Sequence, residues 1–186
     1  MFAASTPIRV IGLTGRAGCG KSTVASYLVD QYQFRRQRMS GPLKDMLRAI
    51  GLTDRHIEGD LKEVSCDLLC GKTPRYAMQT LGTEWRNLIG VKLWSNIWLD
   101  RARNRPAHVC LVTEDVRFPH EVEAIRDVGG VIFKIVRPGN ALNVGQHPSE
   151  SYDLPFDLLI SNDGNLNRLF SQVDRVMREA VLAEAA

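Results

Sequence analysis

Apolar positions along this chain follow two periods. Short continuous apolar runs, suited to buried strands, occupy residues 8–14, 108–113, 131–136 and 156–160. Between them apolar residues recur every three or four positions, as one face of a helix requires. This second pattern predicts a helix over 22–32 and another opening at Gly41-Pro42, with Leu43, Met46, Leu47 and Ile50 on one face and Gly51 as its stop. Thr73-Pro74 starts a longer helix that runs to about Ile89 before Gly90, and 94–103 reads as a further one. A helix over 119–128 stops at Gly129-Gly130. The last, over 165–183, turns Leu166, Leu169, Phe170, Val173, Val176, Met177 and Ala180 inward. Residues 33–39 are a weakly marked strand. Residues 52–72 and 137–156 read as loops, the first holding a short helix.

Strands alternating with helices predict a parallel sheet covered on both faces. At 186 residues the chain suits one well-buried domain, with no internal repeat or low-complexity tract. A net charge of +3 suits small anionic substrates but is too weak and dispersed to argue for nucleic-acid binding. Arg101-Ala102-Arg103-Asn104-Arg105, the densest basic run, reads as a solvated helix end. No apolar run approaches the ~18 residues that span a membrane, and the opening residues do not read as a signal peptide. The cysteines, Cys19, Cys66, Cys70 and Cys110, fit neither a zinc ribbon nor a disulfide framework, so a reducing cytoplasm is expected.

Candidate chemistry begins between the first strand and the first helix. Gly15-Arg16-Ala17-Gly18-Cys19-Gly20-Lys21-Ser22 fits G-x-x-x-x-G-K-[ST], a Walker A phosphate loop. Its glycines permit positive φ, so that successive N–H groups turn inward around a polyphosphate. Lys21 adds a point charge at the β- and γ-phosphates, and the Ser22 hydroxyl suits Mg²⁺. The helix N-terminus favours the same anion. A nucleoside triphosphate site is therefore predicted, with Thr23 at its helical edge.

Two further constellations stand out. In the helix opening at Thr73, the spacings of Arg75, Gln79, Thr83 and Arg86 put them on one face, with Ala77, Leu81, Trp85 and Leu88 as the opposite, core-packing stripe. Two guanidiniums and an amide suit a phosphate and a base edge, and a solvated face is the plainer alternative. The third constellation, Glu114-Asp115-Val116-Arg117-Phe118-Pro119, lies beyond the carboxyl end of a buried strand, where ligands of open α/β sheets bind. There Asp115 can hold Mg²⁺ and Arg117 can neutralise phosphate charge. Alternatively, Asp115 caps the next helix and Arg117 pairs with Glu121.

Taken in order, the Walker loop, Ser40-Gly41-Pro42-Leu43-Lys44, Thr73-Pro74-Arg75, Gln79-Thr80-Leu81-Gly82-Thr83-Glu84-Trp85, Asp115-Val116-Arg117-Phe118-Pro119, His147-Pro148-Ser149-Glu150 and Asn162-Asp163-Gly164 resemble the bacteriophage and prophage deoxynucleoside monophosphate kinases. The resemblance covers nearly the whole chain. It implies a single three-layer P-loop domain over 1–186, with a five-stranded parallel sheet in the order 2-3-1-4-5. It also implies an inserted helical region at about 40–106 for the acceptor monophosphate and a lid-like loop at about 138–155. That loop lacks the arginines of adenylate-kinase lids; Arg137 alone borders it.

The reaction so implied moves the γ-phosphoryl group of ATP to a deoxynucleoside monophosphate, with Mg²⁺ as cofactor and a monomer or homodimer as the working form. Lys21, Asp115, Arg117 and Arg86 are the implied catalytic residues. Ser40, Lys44, Arg75, Gln79, Thr83, Trp85, Arg86 and Arg117 form the acceptor site, and Asn162, Asp163 and Gly164 contact adenine. Three rivals stay open: dephospho-CoA kinase, a GTPase switch and a packaging ATPase. The GTPase reading lacks an Asn-Lys-x-Asp guanine motif.

Overall fold

The computed structural model describes residues 8–139 and 153–182. By contact density the chain divides into two compact units: Met1–Arg38 with Arg101–Ala186, and Met39–Asp100.

The first is a sheet unit. Strands β1 (Val10–Thr14), β2 (Arg35–Arg36), β3 (Leu111–Thr113), β4 (Val131–Val136) and β5 (Leu158–Ser161) form one sheet in the order β2-β3-β1-β4-β5. Every pairing is parallel, with Ile11 opposite both Val112 and Val131. This is the expected 2-3-1-4-5 order. β4 fills its apolar run, but the other strands are shorter than theirs: the expected strand over 108–113 keeps only its last three residues, and β5 starts two residues later than expected.

The period of two explains why both faces are covered. Ile11 and Leu13 join Val24, Leu28, Leu169, Val173 and Met177 in one core with α1 (Lys21–Tyr32) and the C-terminal helix Leu166–Leu182. Between them, Gly12 lies on the opposite face. A Cβ there would meet Ile125 Cδ1 at 2.7 Å, so Gly12 is what lets the helix Pro119–Arg126 sit against the sheet. Of the residues expected inward on the C-terminal helix, Leu166 at its first turn is 56% exposed. Phe170 instead stacks flat on Tyr27, with ring centroids 4.0 Å apart.

The second unit is helical. It holds α2 (Gly41–Ala49), α3 (Asp54–Ile57), two 3₁₀ turns (Asp60–Glu63 and Asp67–Leu69) and α4 (Pro74–Ile89); α5 (Leu93–Arg103) leads out of it. In chain order Pro119–Arg126 is α6 and Leu166–Leu182 is α7. The start signals of α4 work as the sequence predicts: Thr73 Oγ1 accepts from the Tyr76 N–H at 3.1 Å, Pro74 takes the first turn, and Gly90 ends the helix. Its core is small. Leu47, Leu52 and Ile57 are buried together, with Ala77, Met78 and Leu81 of α4 packed on them.

The expected core stripe of α4 is therefore only half right. Ala77 and Leu81 face this core, whereas Trp85 is 41% and Leu88 83% exposed. Helical spacing put them on one line, but the elements that cover α4 end before its last turns. Ile50 is likewise exposed, because α2 stops at Ala49 and leaves Ile50 as its cap.

Candidate active site

The sheet order sets where a ligand goes. β1 lies between β3 and β4, and the segments leaving the carboxyl ends of β1 and β3 emerge side by side. From β1 comes the loop of residues 15–20, and from β3 comes Glu114-Asp115.

The loop adopts the shape its glycines predict. Gly15, Gly18 and Gly20 have φ of 136°, 73° and 109°. At Gly15 a Cβ would run into the Ile135 carbonyl, so neither backbone angle nor space admits a side chain. Lys21 Nζ folds over the loop and donates to the carbonyls of Gly15 at 2.6 Å and Arg16 at 2.8 Å. This braces the loop and holds the ammonium against it. Cys19 is buried within the loop, while Arg16, Ala17, Gly18 and Ser22 stand exposed.

Asn162, expected at the adenine, has a clear second role. Its Nδ2 donates to the Cys19 carbonyl at 2.9 Å, and a Cβ on Gly20 would lie 2.6 Å from that nitrogen. The turn after β5 thus pins the phosphate loop from behind. Asp163 holds Arg168 at 3.1 Å, and Gly164 packs against the same side chain.

At the end of β3, Asp115 is half-buried and accepts from Thr113 Oγ1 at 3.2 Å. It does not cap α6. The N-cap is Phe118, and the Glu121 carboxylate accepts from the N–H groups of Arg117 at 2.6 Å and Phe118 at 3.0 Å. Capping thus falls to Glu121, which meets Arg117 through the backbone and leaves that residue exposed. Burial pushes the Glu121 carboxyl up to about 7, and the nearby charge of Asp115 pushes the same way.

Ser22 and Asp115 supply a hydroxyl and a carboxylate, both hard oxygen donors. Among the described residues no group of three or more His, Cys, Asp or Glu forms a metal cage. Mg²⁺ needs none, because it keeps several waters and takes one or two protein oxygens beside substrate phosphates. The donor set fits that ion.

Within the helical unit, Ser40, Lys44, Thr83 and Arg86 are half-buried, and Arg75, Gln79 and Trp85 exposed. Lys44 Nζ pairs with Glu58 at 2.7 Å, and Arg75 with Glu63. Trp85 stacks on Trp94 at a centroid distance of 6.5 Å, and Trp94 Nε1 donates to the Gly82 carbonyl at 2.9 Å. Lys62 belongs with these cations and is absent from the sequence reading. Burial holds its ammonium below the usual lysine range, and the charges of Arg75 and Lys44 add to this. It sits on a 3₁₀ turn inside a polar stretch, where no periodicity marks it. Arg137, which borders the expected lid-like loop, is exposed. The His147-Pro148-Ser149-Glu150 motif lies outside the described residues.

A phosphate loop between β1 and α1, on a parallel sheet of this order, defines a P-loop kinase fold. Comparison with known proteins narrows the class. A family model for deoxynucleotide monophosphate kinase matches residues 71–173. The chain is 34% identical over 182 residues to a provisionally named deoxynucleotide monophosphate kinase of Acanthamoeba polyphaga mimivirus, covering 88% of this chain and 93% of that one. It is 25% identical over 243 residues to the deoxynucleotide monophosphate kinase of Enterobacteria phage T4, covering 92% and 99%. Among solved structures, a provisionally named kinase from Chloroflexus aurantiacus aligns with a TM-score of 0.50 at 13% identity, over 95% of this chain and 98% of that one. That likeness bears on the fold alone. The chain belongs to the deoxynucleotide monophosphate kinase family. The match to the family model begins after the phosphate loop, so that match does not rest on the Walker motif.

Proposed function

We propose that this kinase moves the γ-phosphoryl group of ATP to a deoxynucleoside 5′-monophosphate, releasing ADP and the deoxynucleoside diphosphate. The observation that carries the reading is the Lys21-braced phosphate loop in a chain of this family. The amides of residues 15–23 and the Lys21 ammonium hold the triphosphate, with Asn162, Asp163 and Gly164 toward adenine and Arg137 toward the phosphates. Ser22 and Asp115 hold Mg²⁺, which when bound neutralises charge on the phosphates.

Arg75, Gln79, Thr83, Trp85, Ser40 and Lys44 hold the acceptor. Arg86 and Arg117 offset the charge that spreads over the transferred oxygens in a loose transition state. No general base is required, since the acceptor phosphate is already an oxyanion near neutral pH. Positioning and cations are what the protein supplies. The proposed setting is a reducing cytoplasm, on cysteines that fit no disulfide framework; no helix among the described residues is long and apolar enough to cross a membrane.

ADP release across the four common deoxynucleoside monophosphates, their ribo counterparts and dephospho-CoA tests the proposal. Turnover with at least one deoxynucleotide and none with dephospho-CoA is expected. Turnover with dephospho-CoA alone overturns it. A magnesium titration of Asp115→Asn tests the metal assignment: the amide keeps the shape, so an unchanged curve with normal kcat rejects it.

A further inference from the structure

The two residues assigned to Mg²⁺ come from different elements, Ser22 from the first turn of α1 and Asp115 from the chain beyond β3. Backbone pairing fixes β3 beside β1 but leaves the aim of each ligand to local contacts. Arg36, on the edge strand β2, joins the two places. Its Nη2 donates to the Ser22 carbonyl at 3.1 Å and to Ser26 Oγ at 2.6 Å, gripping the first turn of α1. Its Nε lies 3.7 Å from Oε1 of Glu114, the residue immediately before Asp115.

Glu114 is only 5% exposed, which demands partners for its charge. Arg38 supplies them one-sidedly: its Nε and Nη2 reach Oε1 at 2.6 and 2.5 Å. Glu114 Oε2 and Arg36 Nε are left buried without a hydrogen-bond partner among the described residues. Arginine–carboxylate pairs frequently engage both oxygens in a fork. Here one donor and one acceptor are held back, on the two residues that link the metal-ligand segments.

We infer that Arg36 and Glu114 are positioning residues that set Ser22 and Asp115 for the metal–nucleotide complex, Arg36 through the Ser22 backbone and Glu114 through the chain at Asp115. The inference rests on the assignment of Mg²⁺ to Ser22 and Asp115. Partners of this kind, one step removed from the ligands, typically govern metal affinity by 10–100-fold.

Calorimetric titration with ADP, with and without Mg²⁺, tests it free of turnover. In the unaltered protein Mg²⁺ is expected to tighten ADP binding. Arg36→Met is expected to cut that tightening roughly 10-fold while leaving Mg²⁺-free ADP affinity nearly unchanged. Glu114→Gln acts in the same direction. Arg126→Met breaks an ion pair of the same unit, Arg126 with Asp157 at 3.2 Å, and is expected to leave both affinities alone. Arg36→Lys guards against misfolding: it keeps the charge, but one ammonium cannot both grip the first turn of α1, as Nη2 does, and lie beside Glu114, as Nε does, so it must show the same selective loss.

An intact Mg²⁺ effect in Arg36→Lys, or equal losses with and without Mg²⁺, overturns the inference. Ser22→Ala and Asp115→Asn separate the two levels. If they abolish the Mg²⁺ effect and the Arg36 variants do not, only the positioning role fails. If they leave it intact, the metal assignment itself is wrong.

Discussion

The sheet unit and the helical unit place their polar groups by different means. Around the phosphate loop the backbone does the placing. Three glycines at positive φ, a lysine folded onto two carbonyls and an asparagine tied to a third leave the loop one shape. In the helical unit, by contrast, long side chains carry the charge, and acidic neighbours already engage two of them, Lys44 by Glu58 and Arg75 by Glu63. A backbone cradle is set before its ligand arrives. A cluster of paired cations must exchange one partner for another, which trades affinity for selectivity.

The sharpest way to break this contrast is Lys21→Ala. If the loop is a preorganised charge site, kcat should fall at least ~10²-fold, about 3 kcal/mol, in a protein that still folds. Near-normal turnover of the purified variant would remove the loop from the mechanism, and the two units would no longer differ.

The same contrast explains what was legible in the sequence. Gly15, Gly18, Gly20 and Lys21 answer to backbone geometry at fixed spacing, so the motif implies the shape. The sheet order came from family resemblance, and alternating apolar runs implied coverage of both faces, which the packing at Ile11 and Gly12 bears out. Trp85 and Leu88 were misread because helical spacing says which residues share a line, not how far along it a cover extends. Glu121 went unread as the cap of α6 because its partners, two backbone N–H groups, leave no mark on residue type. Glu114 and Arg36 were hidden for a related reason. Arg35-Arg36-Gln37-Arg38 looks like a solvated edge until β3 brings the carboxylate beside it.

Glu121 offers a second, slightly smaller test, confined to the sheet unit. Its carboxyl sits at about 7 in the folded protein against an ordinary value of 4.5. Below pH 4.5 it is protonated in folded and unfolded chains alike and costs nothing. As pH rises toward 7 and beyond, the folded protein must give up a proton it holds more tightly than the unfolded chain does. Stability is therefore lost across that window, by up to about 3 kcal/mol. Glu121→Gln keeps an oxygen for the two N–H groups and should flatten this loss, measured by denaturant unfolding without magnesium or nucleotide. An unchanged pH profile would mean that the buried carboxyl is not its source.

Acceptor-side variants probe the helical unit with effects of about 2 kcal/mol, the scale of a charge-assisted contact. Arg75→Ala and Arg86→Ala should raise the deoxynucleotide KM or lower kcat while ATP-analogue affinity stays level. Lys62→Met should resemble them, since its ammonium shares their electrostatic surroundings. Loss of ATP-analogue affinity with unchanged acceptor kinetics would take α4 out of the acceptor site.

The smallest single effect, at Leu88, is read against a larger one nearer the start of α4. Leu81 packs on the core of Leu47, Leu52 and Ile57, whereas Leu88 is 83% exposed. Truncating a leucine that packs on a core removes transfer energy and leaves a gap, so Leu81→Ala should cost about 2 kcal/mol, the low end for partial burial. Leu88→Ala removes methyl groups already in water and replaces them with the best helix former. It should stay within about 0.5 kcal/mol of the parent. The pair is informative because both leucines lie on the stripe that helical spacing alone makes uniform. If Leu88→Ala destabilises the isolated chain as much as Leu81→Ala does, the last turns of α4 are covered in solution and the stripe is whole. If it is silent, the core of the helical unit ends where the packing of Ala77, Met78 and Leu81 ends.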